Sequence, residues 1–420
     1  MIFSSTIHLL SSENIDLFVK KILPYFLALV FVTTAVGAFS GYLTHNNFKI
    51  GDWLINYQGG MIRRGLLGEF IYKLSTFTNI SPGIYAVIFQ IIFYGIFFIF
   101  SYALLKRQRS LLPFAFLVFS PFIFAFHLND LQGGYRKEIM FFAILAFTVW
   151  SAKKFEYKSF KIIFYLTIGF FPAVILTHEI AAVYLPYLMI VYLSVVDLSK
   201  GRFFIITLLL LPSVASFAAS IYFSGTAAQV TEIFASIAKE GYALQGGAIE
   251  ALSISTTSRI ERVVYFVKNE NYFSKYIIVT LLSFIAYIPL HENIKIIFQK
   301  RLSIILFLIT IFGTIVLFAV ALDWGRFIYI HLVSLFLLSL MRSNEHSIIF
   351  SIFEEYAPNK NGNKSNNFNV LALSILFVVY TLFWRVPHCC SEIPFTHSIT
   401  TINGISWLKP YAEIFLKYSN

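Results

Sequence analysis

Charge is scarce in this chain. Only 13% of its 420 residues are Asp, Glu, Lys or Arg, where a soluble globular domain carries about 25%. An ordinary water-soluble fold is excluded on that ground. Cysteine is nearly absent as well: the two present, Cys389 and Cys390, are neighbours. Adjacent cysteines rarely bridge without strain, and nothing in the chain has the spacing of a metal-ligand set, so no metal centre is expected. No cofactor motif is found, and the expected cofactor is none. Residues 1–21 lack an apolar stretch ending in small residues, so a cleavable signal peptide is not expected. The net charge of +11 fits loops beside anionic lipid and calls for no nucleic acid.

What the chain has in abundance is apolar surface. It is 58% hydrophobic, with 48 Phe and 24 Tyr. Apolar runs of about 15–24 residues, apolar all round, read as membrane spans. They fall near 22–39, 82–105, 111–127, 138–152, 162–177, 180–196, 203–223, 276–290, 303–322, 327–341 and 370–386. The expected fold is an all-α polytopic integral membrane protein with about 11 transmembrane helices, residues 1–420 forming one transmembrane domain.

Orientation follows from Lys and Arg in the short loops. One set of connections holds Lys106, Arg107, Arg109, Lys153, Lys154, Lys158, Lys161, Lys200, Arg202, Lys295, Lys300 and Arg301; the opposite set holds Arg136, Lys137 and Arg326. The first set is read as cytoplasmic, and Lys20 and Lys21 place the N-terminus on the same side. A cytoplasmic loop at 342–369 contains the Asn/Lys-rich run 359–367. The outer face then receives loop 40–81, the segment NDLQGGYRKE (Asn129–Glu138), His178-Glu179, the loop 225–274, Asp323–Arg326 and the C-terminal tail. Polar loops and amphipathic helices are expected there, with TEIFASIAKE and SRIERVVYFVKN as the helical stretches of a 225–274 lid.

The stretch Gly51–Lys73, GDWLINYQGGMIRRGLLGEFIYK, concentrates this polarity. Asp52 is a candidate general base; as an alternative it caps the segment 53–58. Glu69 is a second catalytic candidate, or a partner of Arg63 or Arg64. Arg63 and Arg64 are the strongest anion signal, since guanidinium grips phosphate bidentately and stays protonated. Arg136, Arg259, Arg262 and Arg326 add to it, unless they are occupied by Asp52, Glu69, Glu138, Glu261 and Asp323. Gln-Gly-Gly recurs at 58–60, 132–134 and 245–247; Gly59 and Gly60 suit backbone N–H groups converging on an anion, or an ordinary turn. His178 and Glu179 join two spans with almost no loop and form either a functional pair or an interfacial one. Asp323-Trp324-Gly325-Arg326 has the same character, with Asp323 and Arg326 as substrate-binding candidates. His331, further along, is a group able to face the same cavity.

With an acid in the first outer loop (Asp52), about eleven spans and recurrent outer arginines (Arg63, Arg64, Arg136, Arg259, Arg262, Arg326), the chain resembles the multi-spanning bacterial glycosyltransferases of GT-C architecture and the related O-antigen repeat-unit polymerases of the Wzy type. The resemblance covers the layout of the whole chain through short motifs. It implies transfer of a glycan from a polyprenyl-phosphate or polyprenyl-diphosphate donor outside the bacterial inner membrane. Asp52 would be the base and the arginines would hold the lipid phosphates. The implied partners are the polyprenyl-linked saccharide donor, a glycan acceptor, the bilayer, and chain-length regulator or flippase proteins. Many GT-C enzymes carry two close acids in that loop, whereas Glu69 is distant here. Two alternatives stay open: a GT-C enzyme adding one sugar, and a flippase for lipid-linked oligosaccharide. A flippase is expected to carry charge in mid-span, which is nearly absent here.

Overall fold

The computed structural model describes residues 12–130, 132–341, 375–381, 383–390 and 394–395. Every regular element among them is helical. Thirteen principal helices are α1 (Ser12–Leu43), α2 (Gly65–Thr78), α3 (Pro82–Leu105), α4 (Glu138–Lys154), α5 (Tyr157–Thr177), α6 (Ala181–Val195), α7 (Lys200–Tyr222), α8 (Ala227–Lys239), α9 (Thr256–Asn269), α10 (Tyr272–Ile285), α11 (His291–Ile297), α12 (Arg301–Val320) and α13 (Trp324–Ser339). Local signals set several of their ends. Pro82 opens α3 where a missing N–H costs nothing. Thr226 and Gln229 form a capping box at the start of α8. Asn79 closes α2 in the left-handed conformation, its N–H bonded to Ser75 O.

Five of these helices, α1, α3, α5, α7 and α12, are long and apolar enough to cross a membrane. The pair α10 and α11, the latter taken with the 3-10 turn Ile288–Leu290 that leads into it, is bent by 51° and makes a sixth if counted as one span. This is the architecture of a helical membrane protein. On α7, Phe204, Leu208 and Leu211 face outward, as do Ile305, Leu308 and Phe312 on α12. Rows of such side chains on a bundle's outside suit hydrocarbon and not water. The shorter α13 is the reverse case: every residue from Trp324 to Ser339 is buried. Beside it α4 packs against α3, α5, α6 and α13. These two helices form the centre.

One expected span is not a continuous helix. Residues 111–127 hold a 3-10 turn at Leu112–Phe114, one helical turn at Ala115–Val118, and then turns leading to another at Phe126–Asn129. Pro113 and Pro121 interrupt it. Its apolarity reflects burial inside the protein: Phe114, Leu117, Phe122, Ile123 and Phe124 are all buried. Broken backbone at membrane depth is tolerated where protein surrounds it. In the run 370–386 the described helix covers 375–381, and Trp384 to His388 have no regular secondary structure. The expected loop 342–369 and the C-terminal tail beyond Phe395 lie outside the described residues. Both expected helices of the 225–274 loop are present, as α8 and α9.

The ends of the helices collect at two faces; α3 and α4, joined by the broken segment 111–127, both end beside Leu340. At one, the Lys20 ammonium donates to Arg109 O at 2.6 Å, Lys153 to Leu340 O at 3.0 Å and Lys300 to Leu193 O at 2.7 Å. This face gathers the lysine-rich connections. The other gathers His178 and most of the acids and arginines singled out from the sequence. Trp53 Nε1 donates to Tyr135 O at 2.7 Å there, and Arg63 N donates to Phe223 O at 2.8 Å.

Candidate active site

The charged groups of this second face sit almost wholly on helix termini. Arg64 is the residue before α2, Lys137 the residue before α4, and Glu138 opens α4. His178 closes α5, Glu179 lies between α5 and α6, and Asp323 precedes α13. Glu138 gains from its place, because a helix N-terminus favours an anion. Arg326, in the first turn of α13, opposes that dipole and is held by carboxylates instead. It pairs with Glu138 across the centre of the bundle and with Asp323 at 2.9 Å.

Close backbone approach brings the first loop into this cluster. A side chain at Gly68 would collide with the main-chain oxygen of Ile55, so α2 lies on the 55–57 segment only because residue 68 is glycine. Arg64 itself adopts a left-handed conformation with φ 67°, as does Tyr135 with φ 61°. Non-glycine residues held this way concentrate at functional sites.

Arg64 is committed. Its Nε and Nη2 donate to the Glu179 carboxylate at 2.6 to 3.0 Å in a forked pair, while its nearest approach to Asp52 Oδ1 is 3.9 Å. Arg63 stands farther from Glu179, at 4.0 Å, and its buried Nε has no partner among the described residues. Arg136 donates to the carbonyls of Gln132 and Phe48 and lies over the Phe48 ring. Lys137 Nζ donates to Arg64 O at 2.9 Å.

Asp52 lies inside a 3-10 turn, Gly51–Leu54, and is 1% exposed. Neither carboxylate oxygen has a hydrogen-bond partner among the described residues. It is therefore not a helix cap. Burial alone would favour its protonated form, yet Lys137, Arg136, His178 and Arg64 around it hold its pKa below the ordinary aspartate value. The result is an ionised, unliganded carboxylate. His178, 2% exposed, has neither ring nitrogen hydrogen-bonded; its Nε2 is 3.5 Å from Glu138 Oε1. Burial resists ionisation of Glu179 too, but Arg64 outweighs it and keeps the group well below the usual carboxylate range.

The remaining candidates divide. Glu69 accepts from Tyr57 N at 3.0 Å and from the Gln58 side chain at 3.1 Å, and pairs with Lys73. It ties the turn at 57–58 to α2. Gly59 packs against the backbone of Gln229, and Gly60 has φ 102° beside the same side chain. This glycine pair makes room for α8. Arg259 donates to Ile254 O and Ala251 O and is electrostatically coupled to Arg64 and Glu179, whereas Arg262 is exposed on α9. His331 is fixed inside the bundle between Tyr187 OH at 2.5 Å and Thr314 Oγ1 at 2.7 Å.

Three groups escaped the sequence reading as site members: Lys137, Glu138 and the pair Asp130–His388. The run Arg-Lys-Glu at the mouth of a span was the available signal for the first two. For the third, Asp130 Oδ2 meets His388 Nδ1 at 2.6 Å across 258 positions. Cys389 and Cys390, expected not to bridge, are joined by a disulfide. A small cavity lined by Tyr135, Arg136, Glu138 and Arg326, and another lined by Lys137, Glu138, His178 and Tyr184, open beside the cluster.

Fold and site together define a helical membrane protein with a buried ionic cluster gathered at one end of its bundle. No protein-family model, curated protein or solved structure matches the chain.

Proposed function

We propose that this protein is a membrane glycosyltransferase that takes a saccharide from a polyprenyl-phosphate or polyprenyl-diphosphate donor on the outer side of the bacterial inner membrane. Within that class we favour polymerisation of a surface-polysaccharide repeat unit, as in O-antigen synthesis, over addition of a single sugar. The observation that carries the reading is Asp52: a buried, ionised carboxylate free of hydrogen bonds, surrounded by guanidinium and ammonium groups.

The chemistry needs both. An acceptor hydroxyl attacks the anomeric carbon, the bond from that carbon to the phosphate oxygen breaks, and the hydroxyl proton passes to Asp52. The departing phosphate or diphosphate carries developing negative charge, which fixed cations stabilise. Arg63 and Arg136 are suited to this because neither is locked in a forked pair with a carboxylate. Arg64, gripped by Glu179, shapes the wall beside them. The apolar helices offer the donor's lipid tail a route from the bilayer.

Deleting the gene in its source bacterium tests the activity. Loss of the polysaccharide ladder with one repeat unit kept on the acceptor is the expected result. A chemically altered single unit instead identifies a single-sugar transferase. Accumulation of unit on the cytoplasmic leaflet identifies a flippase, and an unchanged glycan overturns all three.

Topology is part of the proposal, with about eleven spans, a cytoplasmic N-terminus and the ionic cluster outside. Gln58 is exposed beside that cluster. In a background without Cys389 and Cys390, Gln58→Cys is expected to react with an impermeant maleimide in intact spheroplasts. Labelling that appears only after permeabilisation reverses the orientation.

A further inference from the structure

We propose that His388, Cys389 and Asp323 form a redox-gated binding site for a borderline-soft divalent cation such as Zn2+. The site adjoins the ionic cluster but is independent of the glycosyltransferase reading. One ligand atom from each of these three residues lies within 4.8 Å of the others. Tetrahedral zinc, with bonds of about 2.0 Å to nitrogen and 2.3 Å to sulfur, spaces its ligand atoms about 3.5 Å apart. His388 Nε2 and Cys389 Sγ already stand 3.1 Å apart, so it is chiefly the Asp323 carboxylate that a cation would draw inward.

The histidine is already prepared for such a role. Asp130, 2% exposed, accepts from His388 Nδ1 at 2.6 Å and from His388 N at 2.7 Å. Its other oxygen accepts from Gly133 N at 2.7 Å and Gln132 N at 3.2 Å, which fixes the carboxylate. With the proton on Nδ1, the lone pair of Nε2 points at Cys389 Sγ, 3.1 Å away. A carboxylate behind a histidine that presents its other nitrogen is the outer-shell arrangement of metal-ligating imidazoles.

The segment is held from every side. Gly325 N donates to His388 O at 3.1 Å, Cys390 N donates to Tyr272 OH at 3.1 Å, and Lys275 Nζ donates to Cys390 O at 2.7 Å. Asp323 accepts from Arg326 through Oδ2. Its side chain is 33% exposed, which gives a cation its way in.

The gate is the disulfide. While Cys389 is bonded to Cys390, its sulfur is no thiolate and binds metal poorly. A dithiol reductant opens the bond: the S–S linkage takes two electrons and two protons, and the dithiol leaves as a disulfide. On binding, the Cys389 thiol gives its proton to solvent and its sulfur to the cation, alongside His388 Nε2 and a carboxylate oxygen of Asp323. A fourth position stays open for water.

Co2+ added to the purified full-length protein in detergent tests this, read by thiolate-to-metal absorption. The chain has only two cysteines, so the band has no other source. Oxidised protein is expected to show none. Protein reduced with a dithiol and then freed of it anaerobically is expected to bind one Co2+ per chain. Cys390→Ser, which leaves Cys389 unbridged, should bind without reduction, and Cys389→Ser should lack the band with or without it. Asp130→Asn, which disturbs only the orienting carboxylate, should weaken binding by roughly 10–100-fold. Absence of the band from both the reduced protein and Cys390→Ser overturns the site, as does a band unchanged in His388→Gln. If His388→Gln does not fold, the two cysteine variants decide alone.

Discussion

Asp52→Asn is expected to slow glycosyl transfer at least ~100-fold, the lower range for losing a general base, while leaving a folded, membrane-inserted protein that still binds donor. Asparagine keeps the shape of the side chain. No hydrogen bond is lost, because the carboxylate makes none among the described residues. What disappears is the one feature the surroundings maintain, an anion held ionised against its burial by Lys137, Arg136, His178 and Arg64. The pH dependence has a definite sign. A depressed aspartate pKa keeps the base active through the whole neutral range, so its loss of rate lies below the ordinary aspartate value of about 3.9. The stability that the ionised group contributes is likewise present above that value and is lost as pH falls through the lowered folded-state pKa. Near-normal turnover in Asp52→Asn, with Glu69→Gln or His178→Ala inactive, passes the role of base to the residue that failed.

How much of this was legible in the sequence depended on range. Apolar runs marked α3, α5, α7 and α12 closely, because lipid demands an unbroken apolar surface and local composition reports it. The same measure misread 111–127, where apolarity came from burial in protein and two prolines broke the helix. It could not separate α13, buried in every residue, from a lipid-facing span. The clustering of Asp52, Arg63, Arg64, Arg136, His178, Glu179, Asp323 and Arg326 at one end was readable from loop alternation alone. Their pairing was not. Which carboxylate holds Arg64 is decided over 115 positions of chain, and the choice of Glu179 over Asp52 is what leaves Asp52 free. Glu69 looked equivalent to Asp52 as a residue type, yet its neighbours Tyr57 and Gln58 occupy it. The pair Gly59-Gly60 reads from the sequence as an anion cradle or an ordinary turn, and that reading gives no hint of its neighbour: the group packed against Gly59 is the backbone of Gln229.

Arg326→Met is expected to have the largest effect on the fold. Arg326 and Glu138 open the two central helices, and their side chains are 5% and 7% exposed. Cutting one member of a buried pair leaves an uncompensated charge, which costs about 3–5 kcal/mol. Among the described residues Glu138 would keep only His178, at 3.5 Å, as an ion-pair partner, and Asp323 would lose Arg326 as well. Low yield and a lowered thermal transition in detergent are the expected result. The double variant Glu138→Gln, Arg326→Met contains neither buried charge, and it should recover much of the lost stability. Transfer activity should not return with it, because the guanidinium lines the cavity beside Arg136 and belongs to the cationic wall proposed for the donor phosphates. Measuring both properties on the same three proteins separates the roles. A single variant as stable as the wild type removes the structural role of the pair, and a double variant that is stable and fully active removes Arg326 from the substrate site.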